Sequence, residues 1–203
     1  MSKVKICGIS RIEDINVINR VLPDYIGFVF APSRRRVDVK TAAKMKENLD
    51  LRVETVGVFV NEDIEAAAEI YNSGIIELIQ LHGSEDSLYI KRLRECCGAR
   101  VIQAVSVIDS LPSPLPDEPD YLMFDTFSER RGGAGRAFDW RILKGRHGGL
   151  PYFLAGGLTA DNVVDSIRLL DPYCVDVSSG VETDGLKDAE KIERFVYLAK
   201  GGI

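Results

Sequence analysis

The sequence predicts a closed (β/α)₈ barrel, on three observations. Eight short apolar runs alternate along the chain with segments of helical period. Several of those runs are almost continuously apolar, as expected of parallel strands covered on both faces rather than antiparallel strands with one wet face. At 203 residues the chain sits at the short end of the range of roughly 200 to over 400 residues that this fold occupies. Residues 1–203 are accordingly read as a single barrel domain, with no repeat or low-complexity tract to mark a second module.

The strand-type runs are VKIC from Val4, YIGFVF from Tyr25, TVGVFV from Thr55, IIELIQLH from Ile75, RVIQAV from Arg100, YLMFDT from Tyr121, PYFLAGG from Pro151 and CVDVSSG from Cys174. Between the first two, Ile15, Ile18 and Leu22 mark a helix. Val39, Ala42 and Ala43 mark one after the second strand. After Asn61, read as an N-cap, Ile64, Ala67, Ala68 and Tyr71 recur at helical spacing, and Gly74 offers a stop. Tyr89, Leu93, Cys96 and Cys97 share a face after a Ser84 cap, and Val163, Ile167 and Leu170 follow a Thr159 cap. Ile192, Phe195, Val196 and Ala199 form the last helix. The exception is SVIDSLPSPLPDEPD, residues 106–120, whose prolines predict an irregular or very short fifth helix. The helix after the sixth strand is expected to be short, around Trp140 to Lys144. An open doubly wound sheet is the runner-up, weakened because no G-x-G-x-x-G follows the first strand.

Composition narrows the function. The net charge of −5 supplies no basic field for nucleic acid or an anionic membrane, so any anion site must be built locally. No window approaches the roughly 20 apolar residues of a membrane span, and the first apolar stretch is too short for a signal-peptide core, so a cytoplasmic protein is expected. Cys7, Cys96, Cys97 and Cys174 form no C-x-x-C pair and are read as free thiols. The two histidines form no H-x-x-x-H pattern, so no protein-built metal site is expected.

In a barrel of this kind function collects at the C-terminal ends of the strands. Those ends read Cys7-Gly8, Ser33 with Arg34, Arg35 and Arg36, Asn61, Gln80-Leu81-His82-Gly83, Asp125, Gly156-Gly157 and Ser178-Ser179-Gly180. Glycines after the seventh and eighth strands bare backbone N–H groups for a phosphate, at the place where the fold commonly binds one. Gly132, Gly133 and Gly135, between arginines, suggest a flap over bound substrate. One arginine of the Ser33–Arg36 run at a strand exit could hold a substrate carboxylate.

The segments KICGIS, GFVFAPSRRRV, VGVFVN, IQLHGSED, FDTFSERRGGAGRAFDW, LAGGLTADNV and DVSSGVETDGLKDAEKI, in order from residue 3 to about 196, closely resemble the phosphoribosylanthranilate isomerase family of tryptophan biosynthesis. The resemblance implies a TIM barrel and a cofactor-free Amadori rearrangement of N-(5′-phosphoribosyl)anthranilate to 1-(2-carboxyphenylamino)-1-deoxyribulose 5-phosphate. It implies Cys7 as general base, Asp125 as general acid and, through the family's S-x-R-x-V pattern, Arg35 as the residue for the anthranilate carboxylate. The glycine loops put the phosphate at Gly156, Gly157, Ser179 and Gly180, and His82 is left unassigned. Departures from the family pattern are Ser10 for threonine, with its helix-capping role kept, Ala134 in a GGTG-like loop and Gln103 for lysine.

The chemistry suits those residue types. A carboxylic acid can protonate the ribose ring oxygen, and a thiolate can take the C2′ proton of the resulting Schiff base. The expected partner is a small phosphorylated substrate, with no nucleic acid or membrane, for a monomer or homodimer. Two alternatives stand beside this reading. A histidine-pathway aminoaldose isomerase would normally carry two aspartates rather than a cysteine at the first strand. A phosphate-binding regulatory module without catalysis would not need both Cys7 and Asp125.

Overall fold

The computed structural model describes residues 2–108, 110–126, 139–145 and 149–202. Eight parallel strands close into a barrel: β1 (Lys3–Cys7), β2 (Tyr25–Val29), β3 (Glu54–Phe59), β4 (Leu78–Leu81), β5 (Arg100–Val107), β6 (Tyr121–Thr126), β7 (Tyr152–Leu154) and β8 (Cys174–Val177). The ring is sealed where β8 pairs with β1, setting Lys3 beside Cys174 and Lys5 beside Asp176. Outside it run α1 (Asp14–Val21), α2 (Val39–Glu47), α3 (Ile64–Asn72), α4 (Ser87–Cys97), α5 (Val163–Leu170) and α6 (Ala189–Ala199). Among the described residues no helix separates β5 from β6, and a 3₁₀ turn over Trp140–Leu143 stands in for the helix after β6, as the prolines and the short apolar pattern predict.

Alternation along each strand divides the apolar residues into two layers. Val4, Ile6, Ile26, Phe28, Val101 and Val105 point outward and are buried beneath the helices, with Ile15, Ile18, Met45, Ile90, Leu93, Ile192 and Phe195 covering them. Tyr25, Val56, Leu78, Ile102, Met123, Phe153 and Cys174 point inward and fill the barrel. On β1 the inward set is Lys3, Lys5 and Cys7, so one strand carries two lysines and a thiol up the interior.

Local details differ from the sequence reading. The fourth strand begins at Leu78 rather than Ile75, because Ile75 and Ile76 are spent covering the core from the preceding turn. The capping side chains are aspartates: Asp38, Asp86 and Asp188 accept from the backbone N–H of Thr41, Tyr89 and Lys191. Ser84 and Asn61 instead tie two loops together, Asn61 Oδ1 accepting from Ser84 N at 2.8 Å, while Asp63 stands at the start of α3. Asn162 occupies the N-cap of α5 and Glu13 that of α1, so neither Thr159 nor Ser10 has that position. A small hairpin unforeseen from the sequence, β9 (Glu182–Thr183) and β10 (Leu186–Lys187), follows a 3₁₀ turn at Ser179–Val181. Among the described residues no helix is long and apolar enough to cross a membrane.

Candidate active site

Cys7 ends β1 at the C-terminal rim, in register with Gly27 of β2. A Cβ at Gly27 would lie 2.9 Å from Cys7 Sγ and 3.3 Å from Lys5 Nζ. Thiol and ammonium both border the space that side chain would fill. Lys5 is fully buried and donates to Asp176 Oδ1 at 2.8 Å across the β1–β8 seam. Burial pushes the Cys7 thiol above its ordinary value; Lys5, and more weakly Lys187, pull it back, while Asp176 adds to the rise. Ser178 Oγ donates to the Cys7 carbonyl at 3.1 Å and fixes the rim between β8 and β1.

The three arginines after β2 separate cleanly. Arg34 and Arg36 are exposed, and Arg35 is buried, with 8% of its surface accessible. The Arg35 stem crosses directly over Gly8, and its Nε and Nη2 donate to the two oxygens of Glu182 at 2.6 and 3.0 Å. Glu182 also receives Lys187 Nζ at 2.8 Å and Arg34 Nη2 at 2.8 Å. Burial would push the Glu182 carboxyl up, but the hydrogen bonds from Arg35 and Lys187 outweigh it and hold it below the ordinary range. Lys187, buried and also bonded to the Ser178 carbonyl at 2.9 Å, is pulled below its usual value chiefly by burial.

Asp125 is the inward-facing residue at the end of β6, following Tyr121 and Met123 on that face. His82 Nε2 stands 3.4 Å from Asp125 Oδ2, and its Nδ1 lies 2.9 Å from the amide nitrogen of buried Gln80. His82 therefore lies against the carboxyl group and is itself oriented from below. Gln103 lies on the outward face of β5 and donates to the Glu85 carbonyl at 2.8 Å, so its difference from lysine falls on the helix side of the strand.

The glycine loops after β7 and β8 meet. Gly156 and Gly157 have φ of 82° and 75°, and a Cβ at Gly180 would collide with the Leu158 carbonyl, so these loops touch only because that side chain is absent. Asn162 locks the first loop, donating to the Gly157 carbonyl at 3.0 Å and accepting from Thr159 N at 2.8 Å. Ser179 and Gly180 form the 3₁₀ turn beside it. Gly132, Gly133 and Gly135 lie outside the described residues.

The structure thus brings Cys7, Arg35, Asp125 and both glycine loops to one end of the barrel. The reading from sequence missed Lys5, Asp176, Glu182 and Lys187. For Lys5 and Asp176 the signal was present in VKIC and CVDV, where a charged residue breaks each buried strand at an inward position.

Fold and site together describe a barrel enzyme with a thiol and a carboxyl group at a mouth whose glycine loops and cations suit an anionic substrate. A family model described as N-(5′-phosphoribosyl)anthranilate (PRA) isomerase matches residues 4–197. An N-(5′-phosphoribosyl)anthranilate isomerase of Endomicrobium trichonymphae is 46% identical over 201 residues, covering 98% of this chain and 99% of its own. Among solved structures, the Thermotoga maritima phosphoribosylanthranilate isomerase superposes with a TM-score of 0.85 at 33% identity, covering 99% of this chain and 100% of its own. A phosphoribosylanthranilate isomerase in complex with reduced 1-(o-carboxyphenylamino)-1-deoxyribulose 5-phosphate gives 0.81 at 34% identity, with coverage of 99% and 100%. The chain belongs to the N-(5′-phosphoribosyl)anthranilate isomerase family.

Proposed function

We propose that Cys7 and Asp125 are the base and acid with which this chain performs its family's reaction. That reaction is the isomerisation of N-(5′-phosphoribosyl)anthranilate to 1-(2-carboxyphenylamino)-1-deoxyribulose 5-phosphate in tryptophan biosynthesis. The observation that carries the assignment is the convergence of an inward thiol on β1 and an inward carboxyl group on β6 at the same rim, each with its own polar partners.

Asp125, as the acid, protonates the ribose ring oxygen, and the C1′–O bond breaks to give an open-chain Schiff base. His82 lies against Asp125 Oδ2 and orients the carboxyl group. The Cys7 thiolate removes the proton at C2′, and the electron pair moves into the C1′–C2′ bond, neutralising the iminium nitrogen. The resulting enolamine tautomerises to the ketone.

Arg35 is assigned to the anthranilate carboxylate. Glu182 grips the guanidinium by its Nε and Nη2, which leaves the Nη1 end to make a second, bidentate contact. Backbone N–H groups of Gly156, Gly157, Ser179 and Gly180 are assigned to the phosphate, and Gly132, Gly133 and Gly135 to a flap over the site. A cytoplasmic location is assigned on the phosphorylated substrate, whose charge keeps it from crossing membranes unaided.

Steady-state conversion of phosphoribosylanthranilate by the unmodified protein and by folded Cys7→Ser and Asp125→Asn variants tests the assignment. Each substitution is expected to lower kcat by about 10²- to 10⁴-fold. Unchanged turnover in Cys7→Ser would return the cysteine to a packing role and require another base.

A further inference from the structure

We infer that Lys5, clamped by Asp176, is a positioning residue that aims the Cys7 sulfur at substrate and supplies the charge against which its thiolate forms. The inference rests on the proposed role of Cys7 as base.

Three features of the β1–β8 seam support it. The first is cost. A buried ion pair is seldom worth more to stability than well-packed apolar side chains of similar volume. Apolar filling is available in this interior, where Val56, Leu78, Ile102 and Met123 form a fully buried layer. Charge occurs instead where β1 carries Cys7, two residues beyond Lys5 on the same inward face.

The second is hydrogen-bond capacity. An ammonium has three N–H donors, and Asp176 Oδ1 takes one at 2.8 Å. Lys5 has no accessible surface, so the others must be met inside the protein. Lys5 Nζ and Cys7 Sγ border one space, 3.3 and 2.9 Å from where a Gly27 Cβ would stand, and the absence of that side chain leaves them open to each other. An ammonium donating to the sulfur fixes the thiolate's direction as well as its charge.

The third is the balance of charge. Of the buried cations Lys5, Arg35 and Lys187 and the buried carboxylates Asp176 and Glu182, Lys5 is the charge that bears most strongly on the thiol. The groups that bear on Cys7 are Lys5 from its own strand, Asp176 from β8 and Lys187 from β10. Glu182 and Arg35 stand behind Lys187, and His82 and Asp125 belong to the same rim. Asp176 holds Lys5 in place while opposing the thiolate, so the two members of the pair act on Cys7 with opposite sign.

That opposition gives a test a packing role would not pass. The pH dependence of Cys7 alkylation by iodoacetamide is followed by peptide mapping, which separates it from Cys96, Cys97 and Cys174, and kcat and KM are measured beside it. Asp176→Asn is expected to lower the midpoint of alkylation. The double variant Lys5→Gln/Asp176→Asn, which neutralises both members, is expected to raise it by about one pH unit, equivalent to a tenfold loss of thiolate. In the double variant kcat at pH 7 falls about tenfold and recovers as pH rises, with KM nearly constant. Midpoints that both stay at the unmodified value, or that move in the same direction, overturn the inference.

A measurement on the unmodified protein stands even where a variant does not fold. The ¹⁵N resonance of the Lys5 ammonium is expected to shift with the midpoint of Cys7 alkylation, and an invariant resonance overturns the coupling. Alkylation and resonance report the Lys5–Cys7 contact whether or not Cys7 is the base. Loss of turnover in Cys7→Ser reports the base, so the two readings fail separately.

Discussion

The two lysines that β1 sends into the barrel, Lys3 at the lower end and Lys5 near the rim, meet opposite surroundings. Lys3 Nζ donates to the Tyr25 hydroxyl at 3.0 Å and lies 5.0 and 5.2 Å from the centroids of the Tyr25 and Tyr173 rings. Those two hydroxyls are 3.1 Å apart, and Tyr121 and Phe153 pack against the same cluster. The lower lysine is thus accommodated by ring faces and hydroxyl dipoles, in a half-buried position that needs no full countercharge. Lys5 has no solvent and faces a carboxylate and a thiol. One end of the barrel is closed by a lysine set among ring faces and hydroxyls. The other is built from groups whose charges depend on one another, which is the condition for moving a proton.

Several measurements would break or sharpen this contrast. The largest effect belongs to catalysis: Asp125→Asn is expected to cost about 10²- to 10⁴-fold in kcat with the fold retained, whereas Tyr173→Phe at the lower end leaves kcat unchanged. A comparable loss of turnover in Tyr173→Phe would erase the functional distinction between the ends.

Stability comes next. Lys5→Met strands the Asp176 carboxylate without its partner and is expected to destabilise the protein by about 3–5 kcal/mol. Lys3→Met gives up a cation–ring contact and one hydrogen bond, worth about 1–2 kcal/mol together. Equal shifts of the urea midpoint, at equal slope, would show that both lysines are held alike.

At the rim, pH acts on the two ionic clusters with opposite sign. Burial pulls the Lys5 ammonium down, but Asp176 and Cys7 outweigh it and hold it above its usual 10.5. Its contribution to stability is therefore complete below about pH 10.5 and is lost as pH climbs through the folded value. Glu182, held below its usual 4.5, contributes fully above that pH and loses its contribution as pH falls through the lower folded value. Thermal unfolding across both ranges is expected to show a decline at each extreme, the acid one weakened in Glu182→Gln. An unaltered acid decline in that variant would remove Glu182 from the account.

The smallest effect is expected at the tyrosines, where Tyr25→Phe costs about 0.5–1.5 kcal/mol for the hydroxyl contacts. Chemical denaturation resolves it, and a loss as large as that of Lys5→Met would contradict the contrast.

What the sequence disclosed follows the range of each interaction. Strands and helices were legible because short apolar runs and helical period are local, and the prolines of residues 106–120 announced the irregular connection after β5. Caps were harder, because Asn61 and Asp63, or Ser84 and Asp86, are equally plausible in sequence and only loop packing decides which side chain faces the helix. The hairpin after β8 had a readable signal in Asp184-Gly185, which take φ of 52° and 81° as a two-residue turn requires, but its strands are only two residues each. At the site, Cys7 and Asp125 could be named from motif and strand position. The Lys5–Asp176 and Arg35–Glu182 pairs join residues 171 and 147 apart, and no local pattern states that two such residues meet.

Closure through β8 also sets an order of events during synthesis. Ribosomes release β1 well before the strand that completes the ring, so Lys5 emerges long before its carboxylate partner exists. Until then the ammonium is stable only in water, and an early, dry collapse around β1 is disfavoured. Arrival of Asp176 removes that obstacle and seals the ring in the same step. A nascent chain halted before that step carries Cys7 and Asp125 but neither the finished barrel nor the Lys5–Asp176 pair, so ring and ion pair are completed together.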